Sequence, residues 1–165
     1  MEVNAYMKLI NKNNLTTDTD KNNLLEQYKT YVESADKISD RRINVDTFFI
    51  TLNSALITVM TIFFSNTTLL LILAFLGIIF SVLWFLNLKN YKHINACKFH
   101  IIQQVERNLP INLYKMEWNI LTKSKKKYLP VSKLEMFLPF IFVIIYTAII
   151  LYLLITKVQI NIIIK

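Results

Sequence analysis

Glycine is nearly absent from this chain, with one in 165 residues, and no glycine-rich nucleotide-binding loop is present. The single cysteine, Cys97, excludes an internal disulfide and a cysteine-based metal cluster. No catalytic triad and no paired carboxylates within apolar runs occur, which argues against an enzyme or a proton-coupled transporter. The first 44 residues lack the apolar core of a signal peptide, and neither end has a lipidation motif. We expect no cofactor, no metal and no small-molecule substrate.

Three apolar runs are long enough to cross a bilayer, whose hydrocarbon core of roughly 30 Å requires about 20 apolar residues. They are Val45–Phe64, Thr67–Leu88 and Met136–Thr156. The first contains one charge, Asp46 at its rim, and the other two contain none. The fold class predicted is an all-α membrane protein with three transmembrane helices and a helical bundle on the cytoplasmic side.

The expected organisation follows from these runs and the polar segments between them. The segments are a mobile N-terminus (1–18), a cytoplasmic extension of the first helix (19–44), membrane helix 1 (45–64), membrane helix 2 (67–88), a cytoplasmic helical segment (89–133), membrane helix 3 (134–156) and an external tail (157–165).

Basic residues predict the orientation in the membrane, because loops rich in Lys and Arg stay in the cytoplasm. Seven of the 19 basic residues precede the first run and ten lie between the second and third, so 17 share one side. The connection Ser65-Asn66 has none. We therefore expect a cytoplasmic N-terminus, an external C-terminus and contact with anionic lipid rather than nucleic acid.

One polar line runs along the first helix and continues into its membrane segment. Its twelve positions follow alternating steps of four and three residues, so they lie on one helix face. They are Glu26, Thr30, Glu33, Lys37, Asp40, Asn44, Thr47, Thr51, Ser54, Thr58, Thr61 and Ser65. In the membrane, these hydroxyls require water or another helix, so this side does not face lipid.

The hydroxyl stripe has two interpretations, and it is defined here as Thr47, Thr51, Ser54, Thr58 and Thr61. In the first, the side chains are packing contacts between helices, with their hydroxyls bonded to the backbone. In the second, they line a water-filled pore. Three spans cannot enclose a pore, so the second interpretation requires a ring of subunits.

Charged residues lie at the cytoplasmic rim of the first run. Asp46 follows Arg42 by four residues, which predicts an interfacial ion pair, with the arginines reaching lipid phosphates. The alternative is a charged pore mouth or gate, formed by Asp40, Arg41, Arg42 and Asp46.

Polar and small residues inside the spans predict close helix contacts. Asn53 lies deep in the first run, where an amide is expected to fix the register with another helix. Ala74, Gly77 and Ser81 in the second run let helix backbones approach closely, either within one chain or between subunits.

The soluble part of the first helix has an apolar stripe that requires a packing partner, expected to be the 94–121 helices. It comprises Leu24, Tyr28, Tyr31, Ala35 and Ile38. Tyr28, Tyr31, Ile38 and Trp118 are candidates for cytoplasmic docking.

Several residues predict where helices begin and end. The expected signals are a cap at Thr19 or Asp20, a helix end at Pro110, a basic turn at Lys123, Lys125, Lys126 and Lys127, a capping box at Ser132 and Glu135, and a kink at Pro139.

A metal site is considered at His93, Cys97 and His100, which share one helix face. The first and last are about 10 Å apart along the helix axis, so one ion cannot easily use all three. Two of them could bind zinc with ligands from elsewhere.

Two groups of short motifs are characteristic of a known family. The first group is the runs ADKISDRR at 35–42 and FFITLNSAL at 48–56. The second group is Asn95, Lys98-Phe99, Ile102, Glu106, Leu109-Pro110, Glu117-Trp118, Tyr128-Leu129-Pro130 and Lys133-Leu134-Glu135. With these motifs, the chain resembles the RipA-type family of small octameric bacterial membrane proteins over roughly residues 24–150. A more distant likeness links it to SLATT membrane effectors of nucleotide-signalled immunity.

The resemblance implies a homo-octamer in the bacterial inner membrane that acts in anti-phage defence. Members of that family are thought to form a ring on sensing an assembled phage component and then to breach the membrane. The expected partners are membrane lipid, other copies of the chain and a phage protein trigger. A phage holin-like permeabiliser and a non-conducting scaffold remain the alternatives.

Overall fold

The computed structural model describes residues 17–123 and 134–163, and these form four helices. In chain order they are α1 (Asp18–Ile62), α2 (Thr67–Glu106), α3 (Leu113–Lys123) and α4 (Leu138–Ile163). No strand occurs within these ranges. Three helices are long and apolar enough to cross a membrane: α1, α2 and the 138–157 part of α4. The all-α fold class with three membrane helices is confirmed.

Hydrogen bonds at the start of α1 place its cap earlier than expected. Thr17 Oγ1 accepts a hydrogen bond from the Asp20 N–H at 3.2 Å, and the Asp20 carboxylate accepts one from the Thr17 N–H at 3.0 Å. This reciprocal pair is a capping box. The cap is therefore Thr17, assisted by Asp20, whereas Thr19 lies inside the helix.

The two apolar helices α1 and α2 are joined by a short turn with its own cap. The Asn66 side-chain oxygen accepts a hydrogen bond from the Leu69 N–H at 3.1 Å, which satisfies one of the free donors at the start of α2. The absence of Gly and Pro between residues 18 and 62 agrees with an α1 of 45 residues.

Two prolines behave differently from the sequence expectation. α2 ends at Glu106, four residues before Pro110, because the N–H groups of Asn108 and Leu109 bond back to the carbonyls three residues earlier. Pro139 is the second residue of α4, where a missing N–H removes no intrahelical bond. It therefore starts the helix rather than kinking it.

Three expectations lie outside the described residues. These are the mobile N-terminus over residues 1–16, the rest of the basic turn after Lys123 (Lys125, Lys126 and Lys127), and Ser132 of the proposed second capping box.

The chain divides into two units. Of the described residues, the helical unit contains 17–40 and 93–123, and the span unit contains 41–92 and 134–163. α1 and α2 each contribute to both units, whereas α3 belongs to the helical unit and α4 to the span unit.

The helical unit has the packing predicted for the apolar stripe of α1. Ala35 and Ile102 are buried, and Tyr28 donates a hydrogen bond to Glu106 of α2 at 3.1 Å. Lys98 Nζ of α2 lies 4.5 Å from the centre of the Tyr31 ring. The expected packing of Tyr28 and Tyr31 on the 94–121 helices is confirmed.

Truncation of Tyr31 is expected to lower the stability of the helical unit. Tyr31→Ala removes a partly buried ring and its contact with Lys98, at a cost on the order of 1.5–3 kcal/mol. The thermal unfolding midpoint of the purified protein should fall, while membrane insertion stays unchanged. Leu25→Ala, an exposed position on the same helix, is the matched control. Equal midpoints for both variants would contradict the packing.

The span unit has two apolar clusters between α1, α2 and α4. One contains the buried residues Met60, Leu70, Ala74, Tyr146 and Leu153. The other contains Phe49, Trp84 and Leu88. The Phe49 and Trp84 rings are stacked, with centres 6.0 Å apart. The core therefore occupies one side of α1 and leaves the other side open.

Candidate pore-lining surface and its supporting contacts

The hydroxyl stripe is exposed along its whole length. None of its five residues is covered by another described residue of the chain. Four hydroxyls donate to carbonyls one turn earlier on α1: Thr47 to Ile43, Thr51 to Thr47, Thr58 to Ser54 and Thr61 to Thr58, at 2.7–3.0 Å. The hydroxyl protons are therefore satisfied within the helix, and the oxygen lone pairs remain free to accept hydrogen bonds from water.

The buried residues of α1 define the opposite side of the helix. Phe49, Asn53 and Met60 are all buried against α2 and α4. At 100° per residue, their mean direction is about 140° from that of the stripe. Among residues 17–123 and 134–163, the stripe is thus not a packing seam between helices of one chain. A seam between subunits and a water-lined path are the remaining alternatives.

An exposed apolar strip flanks the hydroxyl stripe on α1. Phe48 and Ile62 are 60% and 70% exposed, and Val59 lies between them on the same side. In a bilayer this strip is suited to lipid or to a neighbouring subunit, whereas the stripe is better suited to water or to a neighbouring helix than to lipid. The exposed half of α1 therefore has two surfaces of different chemistry.

The residues proposed for a pore mouth do not form one exposed group. Asp46 is buried, and one of its carboxylate oxygens accepts a hydrogen bond from the Trp84 indole N–H at 2.6 Å. Arg42 forms its salt bridge with Glu135 at 3.5 Å rather than with Asp46. Only Asp40 and Arg41 are exposed. Asp46 and Arg42 therefore make contacts between segments of one chain. Arg42 remains close enough to act electrostatically on Asp46, although its direct salt bridge is with Glu135.

A buried polar network connects the three helices of the span unit. Asn53 Oδ1 accepts hydrogen bonds from Ser81 Oγ at 3.3 Å and from the Tyr146 hydroxyl at 3.1 Å. Asn53 also donates to the carbonyl of Phe49 at 2.8 Å. The network satisfies an amide that would be costly to leave unpaired in an apolar core. Tyr146 is the member that sequence reasoning did not identify.

Gly77 lies directly against the ring of Tyr146. A Cβ added at Gly77 would fall 2.3–2.6 Å from three ring carbons. Ala74 and Ser81, one turn away on either side, are also fully buried. Asn53 and the small residues of α2 thus pack within the chain, and their side chains are not exposed for contact with another subunit.

Glu106 is the fully buried carboxylate of the helical unit. It accepts hydrogen bonds from the Tyr28 hydroxyl and from the N–H groups of Tyr114 and Lys115 in the first turn of α3. It therefore joins α1, α2 and α3 and favourably offsets the positive end of α3. Burial and the hydrogen bond to Glu106 raise the pKa of Tyr28 to about 12, so this hydroxyl remains a donor at neutral pH.

The other docking candidates have separate environments. Ile38 is half-buried in the helical unit, and Trp118 is exposed. Trp118 lines a groove of about 520 Å³ between α2 and α3, together with Phe99 and Tyr114. Tyr28 and Tyr31 already contact α2 within the helical unit. Trp118 is therefore the docking candidate whose side chain remains accessible to a partner.

The histidine and cysteine face of α2 does not gather a set of metal ligands. His93 Nε2 lies 3.9 Å from the Cys97 sulfur, and His100 contacts Gln104 at 2.9 Å. Within the described ranges, no group of three His, Cys, Asp or Glu side chains is placed to hold a metal ion.

The chain as a whole matches a known protein family. The chain matches the octameric membrane protein family, 8xMP, over residues 25–155. The chain belongs to the 8xMP family. The predicted resemblance to a family of small octameric membrane proteins is confirmed, whereas the SLATT likeness is not supported. The comparisons with curated proteins and with solved structures found no match.

The 8xMP match covers the functional surfaces described above. It includes the whole hydroxyl stripe, the network around Asn53 and the Glu106 cap. As an 8xMP protein, the chain is a membrane protein of an octameric family.

Proposed function

We propose that eight copies of this chain form a ring in the bacterial inner membrane and that the hydroxyl stripe lines its water-filled path. One observation carries this proposal. The stripe lies within a membrane-length helix, yet it is exposed and directed away from the chain's own core. Water can donate hydrogen bonds to this row of hydroxyl oxygens, whereas lipid chains cannot.

The dimensions of such a ring favour non-selective leakage. Eight helices at about 9–10 Å spacing place their axes on a circle of radius roughly 12 Å. Subtracting a helix radius of about 5 Å leaves an opening wider than a hydrated ion. The stripe has no charge in its five positions, so it lacks the means to select ions.

The biological role that fits this activity is anti-phage immunity by membrane breach. The resemblance to the RipA-type family supports this role, with the helical unit in the cytoplasm as the part that meets a phage protein. The 17-to-2 distribution of basic residues supports the orientation with the N-terminus inside. Trp118, exposed beside an aromatic groove, is the candidate contact for the trigger.

Induced expression with a membrane-potential dye tests the proposal against a non-conducting scaffold. We expect the potential to collapse and a small fluorescent solute to enter once the octamer has formed. The same cells provide the mass of the detergent-solubilised complex. An octamer that leaves the potential intact would support the scaffold and contradict the pore.

A further inference from the structure

The polar residues in the membrane segment of α1 fall into two sets. Seven lie between Val45 and Ile62, and five of these seven form the hydroxyl stripe. The other two, Asp46 and Asn53, are buried and are called the buried pair here. They are seven residues apart, so their side chains point within about 20° of each other at 100° per residue. The buried face of α1 therefore carries two polar groups on one line.

The part of α2 that faces the buried pair has two side-chain hydrogen-bond donors. Within residues 69–86 they are Ser81 and Trp84, and every other residue there is apolar or glycine. Both are fully buried. Trp84 donates to the Asp46 carboxylate at 2.6 Å, and the Ser81 hydroxyl lies 3.3 Å from Asn53 Oδ1. The two polar side chains of this part of α2 thus meet the two members of the buried pair.

A third donor comes from α4 and completes the contact at Asn53. Ser81 shares its one hydroxyl proton between Asn53 and the carbonyl of Gly77, which lies at 2.8 Å. The Tyr146 hydroxyl lies 3.1 Å from Asn53 Oδ1 and 3.2 Å from the Asn53 carbonyl oxygen. Within residues 138–157, Tyr146 is the one polar residue that is buried. Asn53 is therefore held by α2 and by α4.

The observed register of α1 on α2 is the one that gives each member of the buried pair a donor. The buried positions in this part of α2 follow steps of four, three and four residues: Gly77, Ser81, Trp84 and Leu88. A shift by one step in one direction would place Asn53 opposite Gly77, which has no side-chain donor. A shift in the other direction would place Asp46 opposite Leu88. Either shift leaves a buried polar group without its α2 donor, which is costly in an apolar core.

We propose that Asp46 and Asn53 are positioning residues, which set the register and rotation of α1 and thereby direct the hydroxyl stripe away from the core. A polar residue in an apolar helix seam can specify register, and buried polar contacts often add little net stability over apolar residues of similar size. The buried pair therefore selects one arrangement of the three helices rather than supplying most of their stability. That the stripe then meets water rests on the proposed function, whereas the register does not.

Apolar replacement of both contacts tests the proposal in the full-length protein. The five-site variant combines Asp46→Leu, Trp84→Phe, Asn53→Leu, Ser81→Ala and Tyr146→Phe. It removes donors and acceptors together, so no side chain of the network is left unpaired, and the ring at position 146 keeps its packing on Gly77. Two partial variants are the matched controls. One has only the changes at 46 and 84, the other has only those at 53, 81 and 146, and each retains one complete contact.

Distances between spin labels measure the register independently of conduction. Phe48→Cys on α1 and Ile72→Cys on α2 are both exposed and, because Asp46 faces Trp84, lie roughly 15 Å apart along the helix axes. They are labelled in a Cys97→Ser background and diluted with unlabelled subunits, so that distances within one chain dominate. The unchanged network and both partial variants should give one distance. The five-site variant should add a second, about 3–5 Å from the first, because one step of the seam moves α1 by about 5 Å.

Thermal unfolding and thiol labelling of the same variants complete the test. The five-site variant should unfold within about 4 °C of the wild type, and faster labelling of Ser54→Cys than of Val59→Cys should be lost. A single, unshifted distance in that variant would overturn the proposal. Its failure to fold would do so too, because the contacts would then supply stability rather than choice. If the distances behave as expected but the unchanged network shows no labelling contrast, the register stands and the pore alone is refuted.

Discussion

Leucine at positions 51, 54 and 58 is expected to abolish leakage while the octamer remains assembled. These positions are exposed on α1 and lie opposite its buried face. Three apolar side chains in each of eight subunits would remove the acceptors that hold water, and a narrowed apolar path empties of water. Solute influx and the mass of the solubilised complex should be measured on the same preparation.

The same triple variant separates the pore from a packing seam between subunits. If the stripe packs against a neighbouring helix, leucine would overpack the contact at about 1–3 kcal/mol for each site, and the octamer would be lost. Val59→Leu, on the exposed apolar strip, is the control and should change neither property. Met60 is unsuitable as a control because it is buried in the core.

Gly77→Ala should strongly destabilise the span unit. The new methyl group would lie 2.3–2.6 Å from the ring carbons of Tyr146. That ring is fully buried, and its hydroxyl is held by Asn53, so it has little freedom to move away. We expect a loss at or above the upper end of the roughly 1–3 kcal/mol typical of overpacking. Thermal unfolding in detergent measures it.

A second-site change shows whether the aromatic ring of Tyr146 causes the loss of stability in Gly77→Ala. Tyr146→Leu removes the atoms that the new methyl group would meet, so the double variant should be more stable than Gly77→Ala alone. Ala148→Val adds volume at an exposed position of α4 and should have little effect. If Gly77→Ala unfolds at the wild-type temperature, the close packing of Gly77 on Tyr146 is wrong.

The extent and type of the helices could be predicted from the sequence. The lack of Gly and Pro between residues 18 and 62 indicates one long helix, and apolar length indicates the spans. The periodicity of α1 also separates its hydroxyl stripe from its buried face. These features depend only on residue type and spacing along one helix, and both are visible in a single sequence.

The partners of the buried polar groups could not be predicted in this way. Asp46 has an arginine four residues before it, yet its hydrogen bond comes from Trp84, 38 residues away. Glu106 is one of two acidic residues in the basic 89–133 segment, and that contrast was the only signal of its special environment. Such pairs depend on how α1, α2 and α3 pack against one another. The periodicity within a single helix does not specify that packing.

The central claim is that the hydroxyl stripe meets water in the assembled protein, and cysteine accessibility measures this most directly. Thr51, Ser54 and Thr58 are replaced singly by Cys in a Cys97→Ser background and exposed to a small charged thiol reagent. Asn66→Cys should react with impermeant reagent from outside, which tests the orientation. The account predicts fast labelling at the three stripe positions with a graded block of leakage, and slow labelling at Val59→Cys on the apolar strip. Stripe cysteines in an assembled, leaking octamer that react no faster than Val59→Cys would contradict it.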